Sequence, residues 1–232
     1  MTVDPRFPLI WDANNAAVLE PSPDLRLRDI ERVLEPELRA AGASFEHVEV
    51  WETSPESPAL REMRTWGARS RPDLVMVREP DAGPPKASSV AVREITEPDP
   101  AFWPWFRNSL MEFEETSSNE VLDQLVARTR AVFVPAGLRW FVAFVDGAMA
   151  GFTSLLSLDG VGYVDTVVTM PQFRGRGVGA ATVARAIEAS IDSADRALFL
   201  LTEEQNPARR LYERLGFRVR AKVESFTRPL GN

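Results

Sequence analysis

Three glycines alternating with arginine and valine, in Arg174-Gly175-Arg176-Gly177-Val178-Gly179-Ala180, constrain this chain more than any other stretch. They follow an apolar run, Gly162 to Met170, that reads as a strand. They precede a helical pattern from Val178 to about Ser190. Glycine permits positive φ and lets a ligand approach the backbone without meeting a Cβ. The first N–H groups of the following helix lack intrahelical partners, and the helix dipole adds partial positive charge there. Arg174 and Arg176 bring full charges beside those amides. Together these features predict a diphosphate site; the bland alternative is a glycine turn with no ligand. The spacing lacks the GxGxxG of a dinucleotide fold, and the loop follows several strands instead of opening an alternating array. No lysine followed by Ser or Thr completes a P-loop.

The surrounding pattern predicts a mixed α/β sheet flanked by helices and not a regular parallel array. Asp81 to Ser89 is polar, carries Gly83 and two prolines, and reads as a linker, with 83–89 as its structureless centre. After it, Val90 to Ile95 alternates like a strand, while Phe102 to Glu115 and Asn119 to Phe133 read as helices. Leu138 to Val145 and Ala148 to Leu156 are apolar strands joined by Asp146-Gly147, a tight-hairpin pair, and Asp159-Gly160 marks a second turn. A strand at Ala197–Leu201, a helix at Pro207–Leu215 and an extended stretch from Phe217 close the chain.

The first 80 residues hold a shorter version of that closing half. Phe7 to Leu19 reads as a strand, Leu25 to Ala41 as a helix with Gly42 as its C-cap, and Val48 to Trp51 as a short strand. Pro58 to Trp66 reads as a helix, and Ala68 to Arg78 as an extended stretch. Trp66-Gly67 before the last strand parallels Leu215-Gly216-Phe217, which suggests a degenerate internal duplication. In place of a glycine loop this half has Glu20-Pro-Ser-Pro-Asp24, whose prolines remove N–H donors, so no coenzyme site is expected here.

Composition narrows the chemistry. Cysteine is absent and His47 is the only histidine, which argues against disulfides, thiolate or His-rich metal sites and a Ser-His-Asp triad. A net charge of −7 argues against general nucleic-acid binding and mildly favours a cationic or neutral partner. No eighteen-residue apolar run spans a membrane, and the N-terminus lacks the apolar core of a signal peptide. A cytoplasmic protein is expected.

The loop after its strand resembles the Arg/Gln-x-x-Gly-x-Gly/Ala loop of the GNAT N-acetyltransferase superfamily. Gln205-Asn206-Pro207-Ala208-Arg209-Arg210-Leu211-Tyr212-Glu213-Arg214-Leu215-Gly216-Phe217 is similar to that family's closing strand–helix signature. The resemblance implies a GNAT acetyltransferase domain over 90–232, preceded by a degenerate GNAT-like half-domain over 1–82. It implies acetyl-CoA as cosubstrate with no metal, the diphosphate on Arg174, Gly175, Arg176, Gly177, Val178, Gly179 and Ala180, and the pantetheine arm along Val167, Val168 and Thr169. Asn206 stands six residues before Tyr212 where the commonest family spacing of seven falls on Gln205, so either amide is open as the arm's contact.

Acyl transfer needs a neutral amine and a proton for the departing thiolate. The resemblance makes Tyr212 the general acid; its helical spacing with Ala208, Leu211 and Leu215 equally fits packing against the sheet. Asp165, on one strand face with Val167 and Thr169, is the candidate base, with a structural role or a water chain as alternatives. Glu203 and Glu204 stand behind it. Glu112, Glu114 and Glu115 read either as acceptor-pocket acids or as a solvated face, and Phe102, Trp103, Trp105 and Phe106 as core or acceptor wall. His47 receives no catalytic role. The expected activity is acetyl transfer to a small-molecule or peptide amine, the other class being a non-catalytic acyl-CoA-binding module. A homodimer is compatible; a nucleic-acid or membrane partner is not expected.

Overall fold

Two Asp-Gly turns build the meander at the centre of the protein. In the computed structural model, Asp146 and Gly147 have φ of 51° and 79°, and Asp159 and Gly160 have φ of 50° and 73°. Both pairs fit the mirror-image hairpin turn, whose twist matches that of the flanking strands. The structure describes residues 1–19, 22, 24–52, 58–66, 68–113 and 118–231. The Glu20–Asp24 segment, Gly67, Glu114 and Glu115 therefore fall wholly or partly outside the described residues.

Contacts divide the chain into two units that are not contiguous in sequence: 1–75 with 202–206 and 219–232, and 76–201 with 207–218. The first contains β1 (Thr2–Val3), β2 (Asn14–Val18), α1 (Leu27–Ala40), β3 (Phe45–Glu52), α2 (Pro58–Arg64), most of β4 (Arg69–Arg78) and most of the chain's last strand, β10 (Arg218–Pro229). Its strands run in the order β1-β2-β3-β10-β4. Strand β2 is parallel to β3, with Ala16 opposite Val48, and α1 crosses between them. Strand β10 lies antiparallel to β3 from Lys222 opposite Glu52 to Pro229 opposite Phe45. Leu34 and Leu38 of α1, Leu60 and Met63 of α2, Val48, Val50 and Phe226 form its core.

The stretch Phe7–Leu19 is not one strand. The buried Asn14 side chain accepts the Asp4 N–H and donates to the carbonyls of Phe7 and Ile10. Turns therefore fill 4–13, and only Asn14–Val18 is extended. Gly42 does cap α1, at φ 74°, with Ala43 N–H reaching Leu38 O and Gly42 N–H reaching Arg39 O.

The second unit holds β5 (Ala91–Ile95), α3 (Phe102–Ser109), α4 (Asn119–Arg128), β6 (Arg139–Val145), β7 (Ala148–Leu158), β8 (Val161–Thr169), α5 (Val178–Asp192), β9 (Ala197–Glu203, through Leu201) and α6 (Arg209–Arg214). Strands β5 to β8 form an antiparallel meander, and β9 joins parallel to β8 after the α5 crossover. Strand β6 alternates faces as a pleat requires, and a bulge at Ala150 resets the faces of β7. Trp140, Val142 and Phe152 meet Phe102 and Phe106 of α3, while Ala143 and Ala150 meet Val178 of α5. The first helix is shorter than its sequence pattern: after Ser109 a 3₁₀ turn, Leu110–Glu112, ends it. The second runs on from Arg128 as a π-turn to Phe133.

Candidate active site

The glycine loop is built by φ angles that other residues avoid. Gly175 and Gly177 have φ of 76° and 78°, and Gly177 is the N-cap of α5. A Cβ added at either would meet nothing within 4 Å, so conformation and not crowding selects glycine. The first helical bond runs from Ala181 N–H to Gly177 O at 3.0 Å. Among the described residues the amides of Gly175 through Ala180 therefore have no acceptor. Six consecutive unpaired N–H groups at an exposed helix start are donors of the kind that suits an anion.

Crowding does matter at Gly151 on β7. A Cβ there would lie 2.3 Å from Val168 O and 2.9 Å from Val178 Cγ1. Its absence lets β7 receive both the end of β8 and the first turn of α5. Gly179 stands where three elements converge: a Cβ would sit 3.4 Å from Thr169 Oγ1 of β8 and 3.5 Å from Leu211 Cδ2 of α6. The helix carrying Tyr212 is thus packed beside the loop.

Strand β8 also parts from its parallel neighbour near the loop. Pairing with β9 runs from Val161 opposite Ala197 to Val164 opposite Leu200. Just beyond, β8 carries one residue more than β7: Thr153 faces Val167 but Leu155 faces Val164. Asp165 and Thr166 share Ser154, whose Oγ accepts the Thr166 N–H at 3.0 Å. This β-bulge bends the strand where its edge leaves β9. Val167 and Thr169 are half-buried and Val168 is buried in the α3 core.

Asp165 is exposed at the bulge, its Oδ2 accepting from Thr166 Oγ1 at 2.8 Å and, at 3.4 Å, from Ser154 Oγ. Tyr212 differs in every respect. It is 6% exposed, and its ring meets Phe217 edge-on at 6.2 Å between centroids. Burial pushes its phenol up to about 12. Among the described residues the hydroxyl has no hydrogen-bond partner, yet it is not one of the buried unpartnered polar atoms, so the oxygen itself reaches the surface.

The two loop arginines are engaged with acids. Arg174 donates through Nη2 to Glu112 at 2.5 Å and through Nε to Thr169 O at 3.4 Å; Arg176 pairs with Asp146 at 3.3 Å. Glu112 thus ties the end of the α3 region to the loop. The sequence left Glu112 among three acids with no sign of this partner. Glu203 pairs with Arg71 and Glu204 with Lys222, both at 3.0 Å. Asn206 and Gln205 are exposed in the turn after β9, with Asn206 N–H on Glu203 O, and both group with the first unit.

Phe102 and Phe106 are core, and Trp103 and Trp105 are half-buried against them. Trp140 is fully buried with no acceptor for its Nε1, and three rings (Phe102, Trp103, Phe106) lie within 6.1 Å, edge-on or nearly so. His47 is buried, stacked on Trp11 at 5.5 Å, with Nδ1 2.6 Å from Thr227 Oγ1. Among the described residues no group of three or more His, Asp or Glu could hold a metal ion, and no helix is long and apolar enough to cross a membrane.

The mixed sheet, with a strand that bulges and parts beside a glycine-capped helix, is that of an acyltransferase. The chain belongs to the acetyltransferase (GNAT) family, whose sequence model matches residues 97–217. No curated protein matches the sequence. Among solved structures it is similar to a conserved protein of unknown function from Staphylococcus epidermidis (TM-score 0.77, 13% identity, 98% of this chain and 89% of that one). It also resembles a GCN5-related N-acetyltransferase from Sphaerobacter thermophilus (0.66, 20%, 88% and 68%). A tandem GNAT protein from the clavulanic acid biosynthesis pathway is a third relative (0.62, 19%, 90% and 73%). At such identities the likeness is one of fold.

Proposed function

We propose that this protein transfers an acetyl group from acetyl-CoA to an amine by direct attack. The observation that carries the reading is the run of six unpaired amides, Gly175 through Ala180, at the start of α5. Those amides, with Arg174 and Arg176 beside them, would hold the diphosphate. The edge of Val167, Val168 and Thr169, free of β9, would pair with the pantetheine arm. When bound, acetyl-CoA supplies the activated carbonyl and a thiolate leaving group.

The chain's own residues then manage two protons. Asp165, exposed and held by hydroxyls, takes one from the amine so that a neutral nitrogen attacks the acyl carbon. Tyr212 gives one to sulfur as the C–S bond breaks. A phenol carries its proton at neutral pH and can donate it; burial, which raises Tyr212 to about 12, makes it a weaker acid than a free tyrosine, so donation waits on the thiolate forming beside it. Small amines and peptide N-termini both fit this chemistry. The test is a panel of amines incubated with acetyl-CoA, read by free-thiol release and by mass of the acetylated product. Turnover of at least one amine is expected. Tight acetyl-CoA binding with no turnover of any amine would favour a binding module instead.

A further inference from the structure

The short helix that carries Tyr212 ends in a motif closed by a residue from far away in sequence. Gly216, at φ 95°, takes the left-handed position after α6. Phe217 N–H returns to Tyr212 O at 3.0 Å and Gly216 N–H to Glu213 O at 3.2 Å, the paired bonds of a Schellman cap. The Tyr212–Phe217 ring contact is the apolar contact that accompanies such a cap. These bonds leave the Leu215 carbonyl without a helical donor. Arg78, at the end of β4, fills it: Nε donates to Leu215 O at 2.8 Å, and Nη2 donates to Gly83 O.

Arg78 is 4% exposed, and among the described residues it has no carboxylate partner. Burial without a counter-ion lowers its pKa. A buried guanidinium satisfied only by carbonyls is costly unless its position matters. What offsets the cost here is the negative end of α6, where a cation is favourable. Space agrees, for a Cβ at Gly216 would lie 3.3 Å from Arg78 Nε and 3.4 Å from the Ala82 Cβ. Residues 78–83 and the α6 cap are therefore fitted to one another.

We propose that Arg78 is a positioning residue for Tyr212, fixing the phenol by locking the C-terminal turn of α6. The catalytic consequence rests on Tyr212 being the general acid; the positioning itself does not. The chain has two tyrosines, Tyr163 and Tyr212. In full-length protein labelled with tyrosine carrying ¹³C at Cζ alone, each gives one ring resonance, assigned with Tyr163→Phe. Arg78→Lys keeps the charge but loses the fork that spans two carbonyls; Arg78→Met removes both. The Tyr212 resonance is expected to move toward its unfolded position in Arg78→Lys and further in Arg78→Met, with Tyr163 unmoved. With an amine found active in the panel, kcat should fall about tenfold or more while the acetyl-CoA Kd changes less than twofold.

A wild-type Tyr212 resonance in Arg78→Lys would overturn the proposal, whether or not Arg78→Met folds. So would equal displacement of both tyrosines. A moved Tyr212 with unchanged kcat would uphold the positioning and overturn the acid role of Tyr212. Wild-type protein that binds no acetyl-CoA would overturn the proposed function and leave the resonance test standing.

Discussion

A phenol held in a mostly buried site keeps its proton well past neutral pH. Tyr212 is such a phenol, and its raised pKa makes a stability statement with a definite sign. Below pH 10 both folded and unfolded chains are protonated there, and the contribution is fully present. As pH rises from 10 through about 12, the unfolded chain loses its proton first, and on the order of 3 kcal/mol of stability is lost. Tyr212→Phe lacks the proton and should show a correspondingly shallower alkaline decline in urea unfolding; an identical decline would mean the hydroxyl is in water. With a competent amine, the same substitution should lower kcat on the order of 10²-fold with acetyl-CoA affinity nearly unchanged. Wild-type kcat would make Tyr212 a packing residue. Tyr212 was proposed from the family resemblance of residues 205–217, since its helical spacing fits packing against the sheet equally well. Arg78 was not legible, because a bond to Leu215 O spans 137 positions and leaves no local pattern.

At the scale of elements, the glycine loop and both Asp-Gly turns were legible because each depends on φ angles that only a few residue types adopt. The bulge was not. Val164-Asp-Thr-Val-Val-Thr169 breaks alternation at Asp165-Thr166, but the extra residue shows only in the register with β7, and it takes Asp165 off the strand face of Val167 and Thr169 on which alternation had put it. Phe7–Leu19 misled for a related reason: its apolar spacing is strand-like, but Asn14 draws the backbone into turns. Gly177→Ala should cost about 1–2 kcal/mol, the penalty of a left-handed non-glycine residue, read as a lower melting temperature. Reversing Arg174 to Glu together with Gly177→Val should abolish any acetyl-CoA-induced rise in melting temperature. A rise equal to wild type would remove the diphosphate from this loop.

Across the whole molecule, the duplicated pattern was readable as helix, strand, helix, strand, and β2-α1-β3 does repeat the parallel crossover of β8-α5-β9. Strand partners were not readable, since nothing local shows that the last strand belongs beside β3. Arg228 of β10 anchors that pairing: it bonds Glu46 at 2.5 Å and Glu31 at 2.7 Å, and lies 3.9 Å from the Trp66 ring centroid. Glu46 is almost wholly buried, so Arg228→Ala should destabilise the protein by about 3 kcal/mol or more in urea unfolding. A fragment of residues 90–232 would keep the loop and Tyr212 but lack β3 and Arg78, and is expected to aggregate or be proteolysed; a stable, monomeric fragment would contradict this. The proposed function requires one coenzyme site per chain, at the glycine loop. Calorimetric titration of the full-length protein with acetyl-CoA tests it most directly. A stoichiometry of about one acetyl-CoA per chain is expected, with binding lost in the Arg174→Glu, Gly177→Val variant. Absence of binding, two sites per chain, or undiminished binding by that variant would contradict it.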